Sequence, residues 1–144
     1  LQGRADDSGA TVEVSKGGDK KASATSGADG SYTTAHEANK TLTVGTTYDL
    51  LVDAPYFLPT SGASAELSER PLTTLGNVKL LGGDANNNNK VGIVDLSLIG
   101  SDYGNAGGDI TDPAADVNAD DVVDILDLVL AAGNYGLTSS SWSS

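Results

Sequence analysis

The sequence predicts two small domains: an all-β sandwich over residues 1–80 and an all-α domain over residues 81–136, with residues 137–144 as a flexible tail. Three observations lead to this division. The first part contains short runs of alternating apolar and polar side chains, the second contains an internal repeat, and the charge differs between them. Alternation with a period of two favours strands, whereas the apolar residues of the second part recur at helical spacing.

Three runs in the first part predict strands, namely residues 10–15, 41–44 and 47–54. In the last of these, Tyr48 and Val52 lie on the same face as Leu50, opposite aspartates. Segments rich in glycine and aspartate separate the runs and predict turns. Short strands spaced by turns are typical of a small sandwich.

The charge of the chain is concentrated in its second part. The 144 residues include 20 acidic and 8 basic side chains, and Lys90 is the single base of residues 81–144. Such a surface repels phosphates and anionic lipid, so neither nucleic acid nor a membrane is an expected partner. The acidic half is either a solvating disordered tail or a set of carboxylates that bind cations. No cysteine is present, which excludes thiolate metal sites and cysteine nucleophiles.

The second part repeats itself after 32 residues. This shift places Asp84 on Asp116 and Val91 on Val123, and it also aligns the Tyr-Gly pairs at 103–104 and 135–136. Two copies of one unit predict a paired structure in which each copy buries a face of the other. The two valines are expected to join the copies through a short β bridge.

Each copy places oxygen donors at positions 1, 3, 5 and 12 of a twelve-residue loop, which is the spacing of an EF-hand calcium loop. Position 7 donates a backbone carbonyl in such loops, and position 9 often acts through water. The predicted ligands of the first calcium ion are Asp84, Asn86, Asn88, Lys90 and Asp95. The predicted ligands of the second are Asp116, Asn118, Asp120, Val122, Asp124 and Asp127.

Carboxylate number separates the two predicted calcium sites. At the predicted ligand positions, the first loop has two aspartates and the second has four. We therefore expect tighter calcium binding in the second loop, which should loosen without the ion because its carboxylates repel one another. No catalytic set is predicted. His36 is the single histidine, and the repeat spacing of the aspartates is explained better by a metal than by an acid–base pair.

Apolar residues follow each loop at helical spacing, and no helix is predicted before the first loop. This arrangement resembles a dockerin, in which two calcium loop–helix repeats lack the entering helix of an ordinary EF-hand. Residues 82–136 follow the pattern GDxNxDGxVxxxDLxxL twice in most of its positions, with Asn89 and Asp121 in place of the second glycine. The resemblance implies a non-catalytic module that binds a cohesin in the presence of calcium and assembles extracellular complexes such as cellulosomes. It also implies partner-binding residues at Ile93, Val94, Ile125 and Leu126.

The first part resembles carboxypeptidase-regulatory-like and Cna-B-like modules, most clearly in its GADGSY segment (27–32). This resemblance implies a transthyretin/Ig-like sandwich. Together the two parts resemble an X-module–dockerin pair, and they imply a secreted or cell-surface protein. The alternative is a calcium-stabilised spacer without a cohesin partner, which packs against its own sandwich or self-associates. In its intramolecular form, this alternative predicts burial of the four partner-binding residues.

Overall fold

The computed structural model describes residues 1–60, 63–68 and 77–140. Within these ranges the chain forms five strands, two α-helices and one 3-10 turn. The strands are β1 (Thr11–Lys16), β2 (Asp19–Thr25), β3 (Ala35–His36), β4 (Thr47–Asp53) and β5 (Ala63–Glu66). The helices are α1 (Ile93–Ser101) and α2 (Ile125–Gly133), and the 3-10 turn Gly107–Asp109 lies between them.

The described strands form one antiparallel sheet in the order β3-β2-β1-β4-β5. β1 and β4 pair at its centre, with Val12 opposite Val52 and Val14 opposite Leu50. All four of these side chains are buried on the same face, because residues two apart in a strand point the same way. A slip of one residue would expose the whole set, so the apolar alternation fixes the register.

The predicted strands at 10–15 and 47–54 correspond to β1 and β4, but residues 41–44 do not form a strand. Instead, Leu42 packs against the cluster around Tyr48, and the Thr43 N–H donates to the Tyr48 hydroxyl at 2.8 Å. Sequence analysis misses β2 because its apolar side chains are only two alanines. Pairing with β1, rather than local pattern, determines that strand.

The two helices begin and end at equivalent positions of the 32-residue repeat. At the start of α1, Asp95 accepts a hydrogen bond from the Gly92 N–H at 2.7 Å. At the start of α2, Asp127 accepts one from the Asp124 N–H at 2.8 Å. A carboxylate in the first turn satisfies a free backbone donor and interacts favourably with the helix dipole. Each helix spans nine residues, with α1 ending at Ser101 and α2 at Gly133.

The two repeats are joined by a reciprocal exchange of backbone hydrogen bonds, in which each loop pairs with the chain that follows the other repeat's helix. Val91 exchanges bonds of 3.1 and 2.8 Å with residues 136–137, which follow α2, and Val123 exchanges bonds of 2.9 and 2.8 Å with residues 104–105, which follow α1. The predicted direct bridge between the two valines is therefore replaced by two bridges, each to the chain beyond the other helix. Both valines are completely buried.

The predicted fold class, an all-β transthyretin/Ig-like sandwich followed by a separate all-α dockerin domain, is wrong. In the described residues, the second part carries two nine-residue helices rather than a helical domain. One buried apolar cluster combines Leu58 from the first part with Val91, Ile99 and Val123 from the second. Leu58 lies beyond β4 and joins the cluster that the two repeats enclose, so the first and second parts share one buried core. The molecule is one predominantly β unit that carries two short helices.

Residues 1–80 are called the β part below, and residues 81–136 the repeat part. Tyr56 connects them at the first loop, with a positive φ of 69°. Its carbonyl accepts hydrogen bonds from the N–H groups of Gly83 at 3.2 Å and Asp84 at 3.1 Å, and its own N–H donates to the Asn87 side chain at 3.2 Å. The β part therefore fixes the entry into the first loop.

The chain beyond α2 returns to the β part. Ser140 is buried, and its hydroxyl donates to the Leu58 carbonyl at 2.6 Å and accepts from the Leu81 N–H at 2.9 Å. Residues 141–144 of the predicted flexible tail lie outside the described residues. The domain boundaries at residues 80 and 136 stay predictions.

Candidate metal-binding loops

The first loop closes around the carboxylate of Asp84, which is completely buried. Its two oxygens accept hydrogen bonds from the backbone N–H groups of Asn88 at 2.9 Å and Asn89 at 2.7 Å. Asn86 also accepts from the Asn88 N–H, at 3.1 Å. The backbone between positions 1 and 6 is thus wrapped around the first aspartate.

Position 12 closes the same loop from the other end. Asp95 is 1% exposed, and its second oxygen accepts from the Asn86 N–H at 3.0 Å. Burial raises the pKa of Asp84 above its ordinary value, and the charge of Asp95 raises that pKa further, against the lowering effect of the backbone donors. Two neighbouring buried carboxylates repel each other, and a bound cation would relieve this repulsion.

The second loop repeats these contacts. Backbone N–H groups donate to the carboxylates at positions 1 and 12, which are buried as in the first loop. The pairs are Asp120 N–H to Asp116 at 3.2 Å, Asp121 N–H to Asp116 at 3.0 Å, and Asn118 N–H to Asp127 at 3.2 Å. The two loops therefore have the same internal frame, which the 32-residue repeat predicts.

Positions 4 and 6 of both loops have left-handed backbone. The φ angles are 56° at Asn87 and 63° at Asn89 in the first loop, and 57° at Ala119 and 67° at Asp121 in the second. Alanine is rare in this region, so the Ala119 conformation is strained and is held by the surrounding bonds.

Several predicted ligands of the second loop contact protein groups. Asn118 donates to one oxygen of Asp120 at 2.9 Å, and the other oxygen accepts from the Val122 N–H at 3.0 Å. Asp124 caps α2 by accepting from the Leu126 N–H at 2.7 Å. Across residues 1–60, 63–68 and 77–140, no three His, Cys, Asp or Glu side chains are grouped as a metal site.

The donor chemistry of both loops nevertheless fits calcium. Every predicted side-chain ligand is a carboxylate or amide oxygen, and calcium prefers such hard donors, whereas no sulfur or imidazole lies among them. Buried aspartates at both ends of each loop supply negative charge. The carbonyls of Lys90 and Val122 stay predictions as ligands.

An exposed apolar patch lies at the first turn of each helix. The predicted partner-binding residues are exposed by 66% at Ile93, 55% at Val94, 56% at Ile125 and 53% at Leu126. Val129 is also 59% exposed one turn further along α2, and sequence analysis misses it. These five residues are called the apolar patch. Their exposure argues against a spacer that packs them against its own sheet.

Comparison with known proteins gives similarity at the level of structure. No protein-family model and no curated protein matches the sequence. A chain in the crystal structure of a C-terminal interface mutant of a type II cohesin–X-dockerin complex from Acetivibrio cellulolyticus has a TM-score of 0.72 at 18% identity, covering 96% of this chain and 89% of that chain. A chain of the corresponding N-terminal interface mutant gives 0.60 at 16% identity, covering 92% and 84%.

At these identities, the comparisons establish the fold. A single superposition covers both the β part and the repeat part, in agreement with one continuous unit. Within the described ranges, no helix has the length and apolar character needed to cross a membrane.

Proposed function

We propose that this chain is a non-catalytic protein-interaction module of the X-module–dockerin kind, which binds a cohesin when its two loops hold calcium. The observation that carries the proposal is the repeated unit itself. Each copy combines buried aspartates at both ends of a twelve-residue loop with two exposed apolar residues on the following helical turn. The fold shared with chains of cohesin–X-dockerin complexes supports this reading.

Calcium would be held by side-chain oxygens and one backbone carbonyl in each loop. The proposed ligands are Asp84, Asn86, Asn88, Lys90 and Asp95, and Asp116, Asn118, Asp120, Val122, Asp124 and Asp127. The ion supplies positive charge that offsets the repulsion between buried carboxylates. Because an unliganded loop lacks this compensation, binding of the ion is coupled to ordering of the loop and of the helix that follows it.

The apolar patch is the proposed contact surface for the cohesin. Exposed apolar side chains grouped on two short helices are typical of a protein-binding surface. Four of the patch residues occupy positions 10 and 11 of the two loops, which couples the surface to the ion, since Asp95 and Asp127 belong both to the loops and to the first helical turns. The same proposal places the protein outside the cell, in a secreted or surface-attached assembly of the cellulosome type.

Isothermal titration with a panel of purified cohesins tests the proposal, beginning with that of the Acetivibrio cellulolyticus type II complex. We expect binding in calcium and none in EGTA. Leu126→Asp should weaken binding by about 30-fold or more, as expected for a central apolar contact. Leu51→Asp is the matched control, since Leu51 is a leucine 42% exposed on the sheet, away from the patch.

The outcomes separate the proposal from its alternative. Equal binding in EGTA, or no binding to any cohesin of the panel, contradicts the proposal. If sedimentation instead shows a calcium-dependent dimer that Leu126→Asp abolishes, the chain is a self-associating spacer.

A further inference from the structure

The residue that follows each helix differs between the two repeats in a way that changes its hydrogen bonding. Asp102 follows α1 and Asn134 follows α2, and they occupy equivalent positions 32 residues apart. Both are buried, at 1% and 5% exposure. An ionised aspartate can only accept hydrogen bonds, whereas the side-chain amide of asparagine also donates two.

Asp102 uses its acceptors on the connection between the repeats. One oxygen accepts from the Asn105 amide at 3.0 Å and the Thr111 hydroxyl at 2.7 Å. The other accepts from the backbone N–H groups of Thr111 at 3.1 Å and Asp112 at 2.7 Å. These four bonds hold the connecting segment against the end of α1, and none of them reaches the β part.

Asn134 uses its donors on Gln2 of the β part and on Gly82, which lies just beyond the β part. Its amide nitrogen donates to the side-chain oxygen of Gln2 at 2.6 Å and to the Gly82 carbonyl at 2.8 Å. The same Gln2 oxygen accepts from the Gly82 N–H at 3.1 Å, and the Gln2 N–H donates to the Leu80 carbonyl at 2.9 Å. An aspartate at this position would place a negative charge against two acceptors.

The two repeats also differ in the size of the side chains where the loop entry meets the helix. A Cβ on Gly83 would lie 2.6 Å from the backbone and the methyl group of Ala131 in α2, and the φ of Gly83 is +103°. The equivalent residues of the other repeat are Ala115 and Ile99, which are both fully buried. Only the glycine and alanine combination allows the chain leaving the β part to approach the helix this closely.

We propose that the Asp102/Asn134 pair determines which of the two helix ends the β part docks on through Gln2. The loop frames, the helix bounds and the exchanged valine bridges are nearly the same in both repeats, so they do not distinguish the two. Asn134 can donate to Gln2 and Gly82, and Asp102 cannot. Asn134 is therefore a positioning residue that joins the β part to the second repeat.

Hydrogen exchange in the full chain with calcium, followed by NMR, tests this inference. In Asn134→Asp, we expect the Gly82 amide to exchange about tenfold faster or more, because the Gln2 acceptor is displaced from it. Asp102→Asn is the isosteric control in the other repeat. It should speed exchange at Thr111 and Asp112 and leave the Gly82 amide protected.

A second variant keeps the test decisive if Asn134→Asp fails to fold. Gln2→Ala removes the acceptor without altering the repeat part, and it should expose the Gly82 amide to a similar degree. When both variants fold, the double variant should change the protection of the Gly82 amide by less than the sum of the two single effects. Unchanged Gly82 protection in either variant, or equal exposure in Asp102→Asn, overturns the inference. The inferred role of Asn134 does not depend on calcium binding or on a cohesin partner. Its failure would therefore leave the proposed function standing.

Discussion

The two loops of the repeat part have the same backbone frame but different charge and different neighbours. Both close through buried aspartates at positions 1 and 12. The first loop is entered from Tyr56 of the β part. Beside the second loop lies Arg4, whose Nε donates to the Val117 carbonyl at 3.2 Å while its guanidinium lies 4.9 Å from the centre of the Phe57 ring. The repeated residues thus set the frame, and the residues that are not repeated set its electrostatics and its attachment.

The largest expected difference is in calcium affinity. Asp84→Ala should abolish the first calcium site and leave the second, and Asp116→Ala should do the reverse. Titration of calcium into each variant therefore measures one loop. We expect the site that remains in Asp84→Ala to be tighter by about tenfold or more, since ligand charge increases calcium affinity.

Asp109→Ala provides the control for net charge, because Asp109 is exposed and lies outside both loops. Equal affinities, or the reverse order, would remove the distinction between the loops. Hydrogen exchange in EGTA provides a further check, in which the second loop should lose more protection than the first.

An intermediate effect is expected from exchanging the buried residues at one equivalent position. Ile99→Ala empties a fully buried position in α1 and should lower the free energy of unfolding by about 2–5 kcal/mol. Ala131→Ile adds volume where Gly83 approaches α2, and should lower it by about 1–3 kcal/mol. Urea denaturation in excess calcium measures both. Tolerance of isoleucine at 131 would show that the close approach of Gly83 is not required.

The smallest expected effect concerns pH. The Thr111 hydroxyl, followed by the Asp112 N–H, lowers the pKa of Asp102 below its ordinary value of 3.8. A lowered pKa in the folded state stabilises the fold above pH 3.8, and this contribution is lost as the pH falls through the folded value. Asp102→Asn should therefore lose less stability on acidification below about pH 4 than the unaltered chain.

Thermal unfolding across a pH series measures this difference, with Asp109→Asn as the control. Parallel curves for the unaltered chain and Asp102→Asn would show that the carboxylate is not selectively stabilised.

Sequence analysis was most informative where a short segment determines its own conformation. The shared loop frame follows from the 32-residue repeat, and the two helices follow from the apolar spacing in each copy. Ile93 and Ile125 of the apolar patch were singled out through the resemblance to dockerins, and both are exposed. Val129 was missed because its equivalent in the first repeat is Ser97, so the repeat offers no matching apolar signal.

The failures occurred where distant segments meet. β2 has little apolar pattern of its own and forms because β1 lies beside it. The separate all-α domain was expected because two apolar helices can bury each other. The structure instead places Leu58 in the same core as Ile99 and Val123. No local pattern indicates that Ser140 closes the chain onto Leu58.

By itself, the sequence determined the repeated loops, the aspartates that close them and the alternation that sets the register of β1 and β4. These features depend on residues close together in the chain, where spacing alone fixes which side chains converge. Only the tertiary structure decided that the β part and the repeats share one core, and that Asn134 rather than Asp102 meets Gln2. Those contacts join residues far apart in sequence, and their formation depends on volume and hydrogen-bond complementarity that no local pattern encodes.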